Sequence, residues 1–139
     1  TVYGPWGRPD MATFIFTKRI IEGKEIEVFN KGKMKRDFTF IDDIVDGIMG
    51  AVNLKMKFKH RIYNLGNNNP EDLSNFINLI EETLGIRAKK KLLPIQPGDV
   101  KETFAEISES TKDLNFMPKV NIEEGIPKFV EWYKSYYGI

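Results

Sequence analysis

The sequence contains no cysteine and a single histidine, His60. The first absence excludes a disulfide framework, a thiolate metal site and a cysteine nucleophile together, and it suits a reducing compartment. Net charge is nearly absent as well: 21 Lys and Arg stand against 20 Asp and Glu, leaving +1. No global field draws such a chain onto nucleic acid or an anionic membrane. Apolar runs are short, of the size of Phe14-Ile15-Phe16, against the ~20 residues that cross a bilayer. No Gly-x-Gly-x-x-Gly or Walker loop is present, and no internal repeat or low-complexity tract.

What is there is globular. Across 139 residues, 41% are hydrophobic and 12% aromatic, enough to bury roughly two thirds of the unfolded chain's surface in one domain. The chain opens on Thr1-Val2-Tyr3-Gly4-Pro5, without methionine, on what reads as a strand end running into a turn. This start predicts a piece of a longer polypeptide.

Strands and helices alternate, which predicts an α/β or α+β class. Residues 1–10 form a loop rich in Gly and Pro, with Tyr3 and Trp6 as aromatic anchors. A helix is predicted over residues 11–22, with Asp10 as its N-cap and Gly23 as its stop. Residues 26–29 and 36–40 alternate like strands around a basic turn at Gly32. A helix follows from Asp42 or Asp43 to Leu54, with Ile44, Val45, Ile48, Met49 and Val52 on one face. Gly47 and Gly50 inside it suggest close packing on a neighbour. Residues 62–65 read as a strand, 72–84 as a helix closed by Gly85, 88–93 as a strand and 108–114 as a short helix stopped at Asn115. Asn121 and Glu124 resemble a capping box for a last helix over 122–137, which Pro127 should kink.

No catalytic constellation stands out. His60 sits among lysines. Asp42-Asp43 at a helix start reads as cap and dipole chemistry before metal binding. Glu81-Glu82 and Glu123-Glu124 read as solvated helix faces. The clusters Lys55, Lys57, Lys59, His60, Arg61 and Lys89, Lys90, Lys91 read as solvated loops, with no nucleic-acid reader motif beside them. Binding chemistry remains. Arg36 could grip a phosphate through parallel charged hydrogen bonds, against a default reading as a surface charge. Phe29 could stack on a flat ring, against a core role. Arg8 could hold an anion, and Asp99 could accept hydrogen bonds from sugar hydroxyls, against a plain turn role.

Several motifs then agree. Val2-Tyr3-Gly4-Pro5-Trp6-Gly7-Arg8-Pro9-Asp10-Met11-Ala12, Arg36-Asp37-Phe38-Thr39-Phe40-Ile41-Asp42-Asp43, Tyr63-Asn64-Leu65-Gly66-Asn67, Gln96-Pro97-Gly98-Asp99-Val100 and Glu123-Glu124-Gly125 before Phe129-Val130-Glu131-Trp132-Tyr133 occur in order. Their order and spacing resemble the C-terminal part of extended short-chain dehydrogenase/reductase nucleotide-sugar enzymes. Among these, the NAD-dependent UDP-glucuronate 4-epimerases match best.

The resemblance implies an α/β substrate-binding portion of a Rossmann-type epimerase, with short strands and about five helices, spanning 1–139 as one unit. The NAD-binding Rossmann half, with its glycine loop and Tyr-x-x-x-Lys pair, would lie upstream. The chain alone would bind no NAD and be inactive. The whole enzyme would interconvert UDP-glucuronate and UDP-galacturonate by transient oxidation at C4 with NAD, in the cytoplasm. Carried over by position, Thr1 and Arg8 would hold the hexuronate carboxylate. That grip would keep the β-keto acid intermediate from losing CO₂. Phe29 would stack on uracil, with backbone groups of Glu27 and Val28 at its edge. Arg36 would bind the diphosphate, Asp99 the ribose, and Met11 and Ala12 would sit at the helix start near the phosphates. Gln96 stands where many relatives carry a second arginine. The expected partners are a UDP-sugar and the Rossmann half, with no nucleic acid and no membrane. Without that half, the helix after Asp43 and the strand at 62–65 would expose an apolar patch and promote self-association. The alternatives are a related epimerase, decarboxylase or dehydratase, or a non-catalytic nucleotide-sugar binding module.

Overall fold

Helices form where apolar residues recur every three or four positions, and local stop signals end them. In the computed structural model, which describes residues 1–55 and 60–139, five helices appear: α1 (Ala12–Ile21), α2 (Ile41–Asn53), α3 (Leu73–Leu84), α4 (Ser108–Leu114) and α5 (Ile122–Tyr137). Gly85 and Asn115 take the left-handed conformation that ends α3 and α4 (φ 69° and 55°). The Asn121 side chain accepts the Glu124 N–H at 3.0 Å and opens α5. The α/β class and the helix count agree with expectation.

Strands are short and paired in twos. β1 (Val2–Tyr3) runs parallel to β4 (Thr39–Phe40), and β2 (Glu25–Val28) parallel to β6 (Lys89–Leu92). β3 (Lys35–Arg36) is antiparallel to β5 (Glu71–Asp72). The predicted strand 36–40 is therefore divided: Phe38 N–H turns back onto Arg36 O between β3 and β4. The predicted strand at 62–65 is not formed. An extended run becomes a strand only through a partner ladder. This one is instead pinned by side chains, with Asn64 donating to Glu106 O at 3.1 Å and Tyr63 to Asp113 at 2.9 Å.

One core lies between α1, α3, α5 and the strand pairs. Ile20, Ile26, Phe38, Phe40, Phe76, Ile80, Ile126 and Phe129 are essentially inaccessible there. Phe38 and Phe76 stack with centroids 3.8 Å apart. Ile107, Leu114 and Phe116 form a smaller cluster beside α2. Gly47 permits that approach, because a Cβ there would come within 2.6 Å of Leu65 and 2.9 Å of Phe116. The opposite face of α2 is bare: Val45, Ile48, Met49 and Val52 are 48–70% exposed, and Ile62 is 73% exposed.

Three carboxylates depart from the sequence reading. Glu81 is buried, not solvated. It accepts Ala88 N–H at 2.8 Å and pairs with Lys90 and Arg87, each at 3.1 Å. Burial pushes its carboxyl up, but those three partners outweigh it and hold the group below its usual range. Asp43 is buried too, and it caps no helix of its own. It accepts Lys119 N–H and Val120 N–H at 3.0 and 3.1 Å, tying α2 to the approach of α5. Asp10 is not an N-cap. Met11 occupies that position of α1 without a side-chain bond, and Asp10 turns to Arg8. Lys89–Lys91 lie in an exposed strand, not a loop. Lys57 and Lys59 fall outside the described residues.

Candidate functional site

β2 delivers Phe29 to the edge of a cavity of about 280 Å³. The chain after Phe29 must reverse at once, because Val28 O and Lys31 N are both taken by Leu93 of the neighbouring segment. Asn30, Lys31 and Gly32 make that reversal with φ of 48°, 53° and 79°. Three consecutive left-handed residues, two of them non-glycine, are strained backbone held by tertiary contacts. Asn30 helps by donating its side-chain amide to Lys33 O at 2.7 Å.

β3 brings Arg36 to the same cavity. Its Nη1 donates to Lys35 O at 2.8 Å and its Nη2 to Asp99 Oδ1 at 2.6 Å. Asp99 comes from a tight turn, Gln96-Pro97-Gly98-Asp99, closed by Asp99 N–H on Gln96 O at 3.1 Å with Gly98 at φ 81°. Pro then Gly at the two central positions is the signature of a type II turn. The pair is sheltered, with side-chain exposures of 16% and 29%. Arg36 is thus a half-buried group and not the surface charge of the default reading.

Thr1, Met11, Ala12 and Glu27 also line this cavity. Val28 does not line it: its side chain is buried in the core and its carbonyl accepts the Leu93 N–H at 3.0 Å. The sequence did not indicate the apolar wall: Phe16, Met34, Phe38 and Leu73. Phe16 was recoverable from the α1 spacing. Met34 and Phe38 depend on how the basic turn folds back. Two wider grooves of about 550 and 560 Å³ lie elsewhere, lined mostly by charged and polar chains. We place the site in the smaller cavity because there a wall of three phenylalanines meets Arg36 and the carboxylates of Glu27 and Asp99.

Asp37 was missed and organises the region. Its buried carboxylate accepts Asn67 N–H and Asn68 N–H at 3.1 Å each and Ala105 N–H at 2.9 Å, while its own N–H donates to Thr103 Oγ1 at 3.0 Å. Two loops far apart in sequence are thereby fixed beside Arg36.

Arg8 stands apart. It lines only a slight hollow on the other side of Met11, and its side chain is 75% exposed. Nε and Nη2 fork onto the Asp10 carboxylate at 3.1 and 2.5 Å. The hydrogen bond from Arg8 holds the Asp10 carboxyl below its usual range. The loop carrying Arg8 is stapled to α5 by Trp6, whose ring meets Trp132 and Tyr136 at 5.5 and 5.2 Å, and whose φ of 62° is unusual for a bulky residue. Tyr3 anchors the base of this loop. Burial pushes its phenol up, with Asp43 and Glu123 adding to the effect, so the hydroxyl stays neutral.

Among the described residues no cluster of three or more metal-ligating side chains occurs, and no helix is long and apolar enough to cross a membrane. The arrangement offers recognition: a ring to stack against, a cation for an anion, and a carboxylate for hydroxyls.

Comparison with known proteins gives a consistent result. Residues 1–66 match the NAD dependent epimerase/dehydratase family. An uncharacterized protein of Methanocaldococcus jannaschii is 56% identical over 133 residues, covering 96% of this chain and 40% of that protein. UDP-glucuronate 4-epimerase 5 of Arabidopsis thaliana is 45% identical over 152 residues, covering 99% of this chain and 35% of that protein. The crystal structure of UDP-glucuronic acid 4-epimerase from Bacillus cereus, in complex with UDP-glucuronic acid and NAD, superposes with a TM-score of 0.92 at 34% identity, over 99% of this chain and 44% of that one. The chain thus spans less than half the length of these relatives.

Proposed function

The chain belongs to the NAD-dependent epimerase/dehydratase family, among the extended short-chain dehydrogenase/reductase nucleotide-sugar epimerases, and we propose that residues 1–139 are the UDP-sugar-binding unit of a UDP-glucuronate 4-epimerase. The observation that carries this reading is the convergence of Phe29, Arg36 and Asp99 on one cavity. A uracil ring stacks on Phe29. Asp99 accepts from ribose hydroxyls, and Arg36 meets the diphosphate beside the N-terminal N–H groups of α1, where Met11 and Ala12 lie. Glu27 and Val28 border the base through their backbone. Thr1 and Arg8 take the sugar carboxylate.

The residues present do not fit the dinucleotide. The sequence has no glycine-rich loop, and a cavity of about 280 Å³ lined by a single arginine suits one nucleotide diphosphate. We therefore assign NAD, and the C4 chemistry that interconverts UDP-glucuronate with UDP-galacturonate, to sequence that relatives carry beyond this chain. The bare face of α2 with Ile62 is the surface we assign to that remainder. Alone, this chain is expected to self-associate through it and to be inactive. A compact monomer in light scattering at high concentration contradicts that assignment. In line with the resemblance, the intact enzyme is placed in the cytoplasm.

A second reading has one observation in its favour. Arg8 faces solvent and not the cavity, as it would in a relative that handles a neutral nucleotide sugar. Calorimetric titration with UDP, UDP-glucose and UDP-glucuronate separates the two. Tightest binding of the acid supports the uronate reading. Equal binding of both sugars supports the neutral one, and no binding of UDP rejects both.

A further inference from the structure

A second hollow, also of about 280 Å³, lies against the nucleotide cavity and shares Ala12, Phe16, Glu27 and Phe29 with it. Its additional lining includes Ile15 and Arg19. The α1 contribution follows helical spacing: positions 12, 15, 16 and 19 fall on one face. Phe29 therefore lines both spaces, and a base stacked on it from the nucleotide cavity has the Arg19 face beside one edge.

Arg19 is half-buried and oriented. Its Nη1 donates to Glu25 O at 3.1 Å, which fixes the guanidinium plane at the end of the helix. Among the described residues it makes no ion pair. A guanidinium only donates, and the Glu27 carboxylate, loosely paired with Lys91 at 3.8 Å, only accepts and has lone pairs to spare. Asp10, also at the hollow, is already engaged by Arg8.

We propose that Arg19 is a base-specificity residue that selects a pyrimidine carrying a carbonyl at position 4. The inference rests on the nucleotide reading of the cavity. Uracil and thymine present an acceptor at O4 and a donor at N3, which complements Arg19 and Glu27. Cytosine reverses both, placing an amine against a cation and a lone pair against a carboxylate. A site built from fixed donors rejects an analogue of the wrong polarity far more strongly than an apolar slot rejects a size change. Ile15 and Ala12 supply the apolar surface against the remaining ring edge.

The test is calorimetric titration of the wild-type chain, Arg19→Met and Arg19→Lys with UDP and with CDP. The wild type is expected to prefer UDP by about tenfold or more, the scale of one charged hydrogen bond. Arg19→Met should bring the ratio near one through lost UDP affinity, while Arg19→Lys keeps part of the preference. A structural role for Arg19 would weaken both nucleotides alike. An unchanged UDP-to-CDP ratio in a folded Arg19→Met chain overturns the inference, as does a wild type without preference. If UDP binds with the wrong ratio, only the assignment of Arg19 fails. If neither nucleotide binds, the nucleotide reading fails and takes this inference with it.

Discussion

Of the arginines that hold a carboxylate, the two assigned to the proposed ligand form pairs that differ in everything but chemistry. Arg36 and Asp99 meet at 2.6 Å across 63 residues of sequence, with exposures of 16% and 29%. Arg8 and Asp10 meet at 2.5 Å across two residues, with exposures of 75% and 61%. The first pair exists because β3, the 96–99 turn and the Asp37 contacts bring its members together, so it is part of the fold. The second is local and lies in water, where such pairs contribute little and salt screens them. The proposed nucleotide end is thus prebuilt, whereas the proposed acid end has a cation parked on an internal carboxylate. A sugar carboxylate could replace Asp10 on Arg8 at almost no electrostatic cost.

The contrast can be broken most severely at Asp37. Asp37→Ala leaves the Asn68 and Ala105 N–H groups without an acceptor and the Asn67 N–H with Thr39 Oγ1 alone. The expected loss is about 3 kcal/mol or more, a fall in Tm on the order of 10 °C for a chain of this size. A thermal melt checks it, and a wild-type Tm would mean the loops do not depend on this carboxylate. Next in size, Arg36→Ala should weaken UDP binding by about 10–100-fold, the value of a charged hydrogen bond, and lower Tm by less than Asp37→Ala does. Calorimetry showing unaltered UDP affinity would remove Arg36 from the site. The smallest effect belongs to the exposed pair. Asp10→Asn should free Arg8 and tighten UDP-glucuronate by no more than about fivefold, with UDP unaffected. Weaker acid binding in that variant would show Asp10 to be a positioning group and not a competitor.

Much of this was readable from local signals. Gly85, Asn115 and Asn121 each act within one helical turn, so the ends of α3, α4 and α5 were placed correctly. Phe29, Arg36 and Asp99 were found as candidates, though their convergence was implied by resemblance and not by spacing. The misreadings share one cause. Glu81 and Asp43 look like surface or cap carboxylates, and Asp37 like an ordinary strand residue, until a distant backbone N–H arrives, and the partner's position is not encoded nearby. The run at 62–65 has strand composition, but pairing decides strands, and no described segment pairs with it. Arg8 was legible as an anion binder, whereas its present partner, two residues away, was assigned to the helix cap instead.

The staple between Trp6 and α5 has a practical consequence. The chain has only two tryptophans, and they touch each other, with ring centroids 5.5 Å apart. Trp6 lies two residues before Arg8, on the same loop. Excited beyond the absorption of its five tyrosines, this chain therefore emits from a pair of indoles that straddles the joint between that loop and the last helix. Emission wavelength and quenching become a built-in gauge of whether the loop is seated or lifted, readable without any added label.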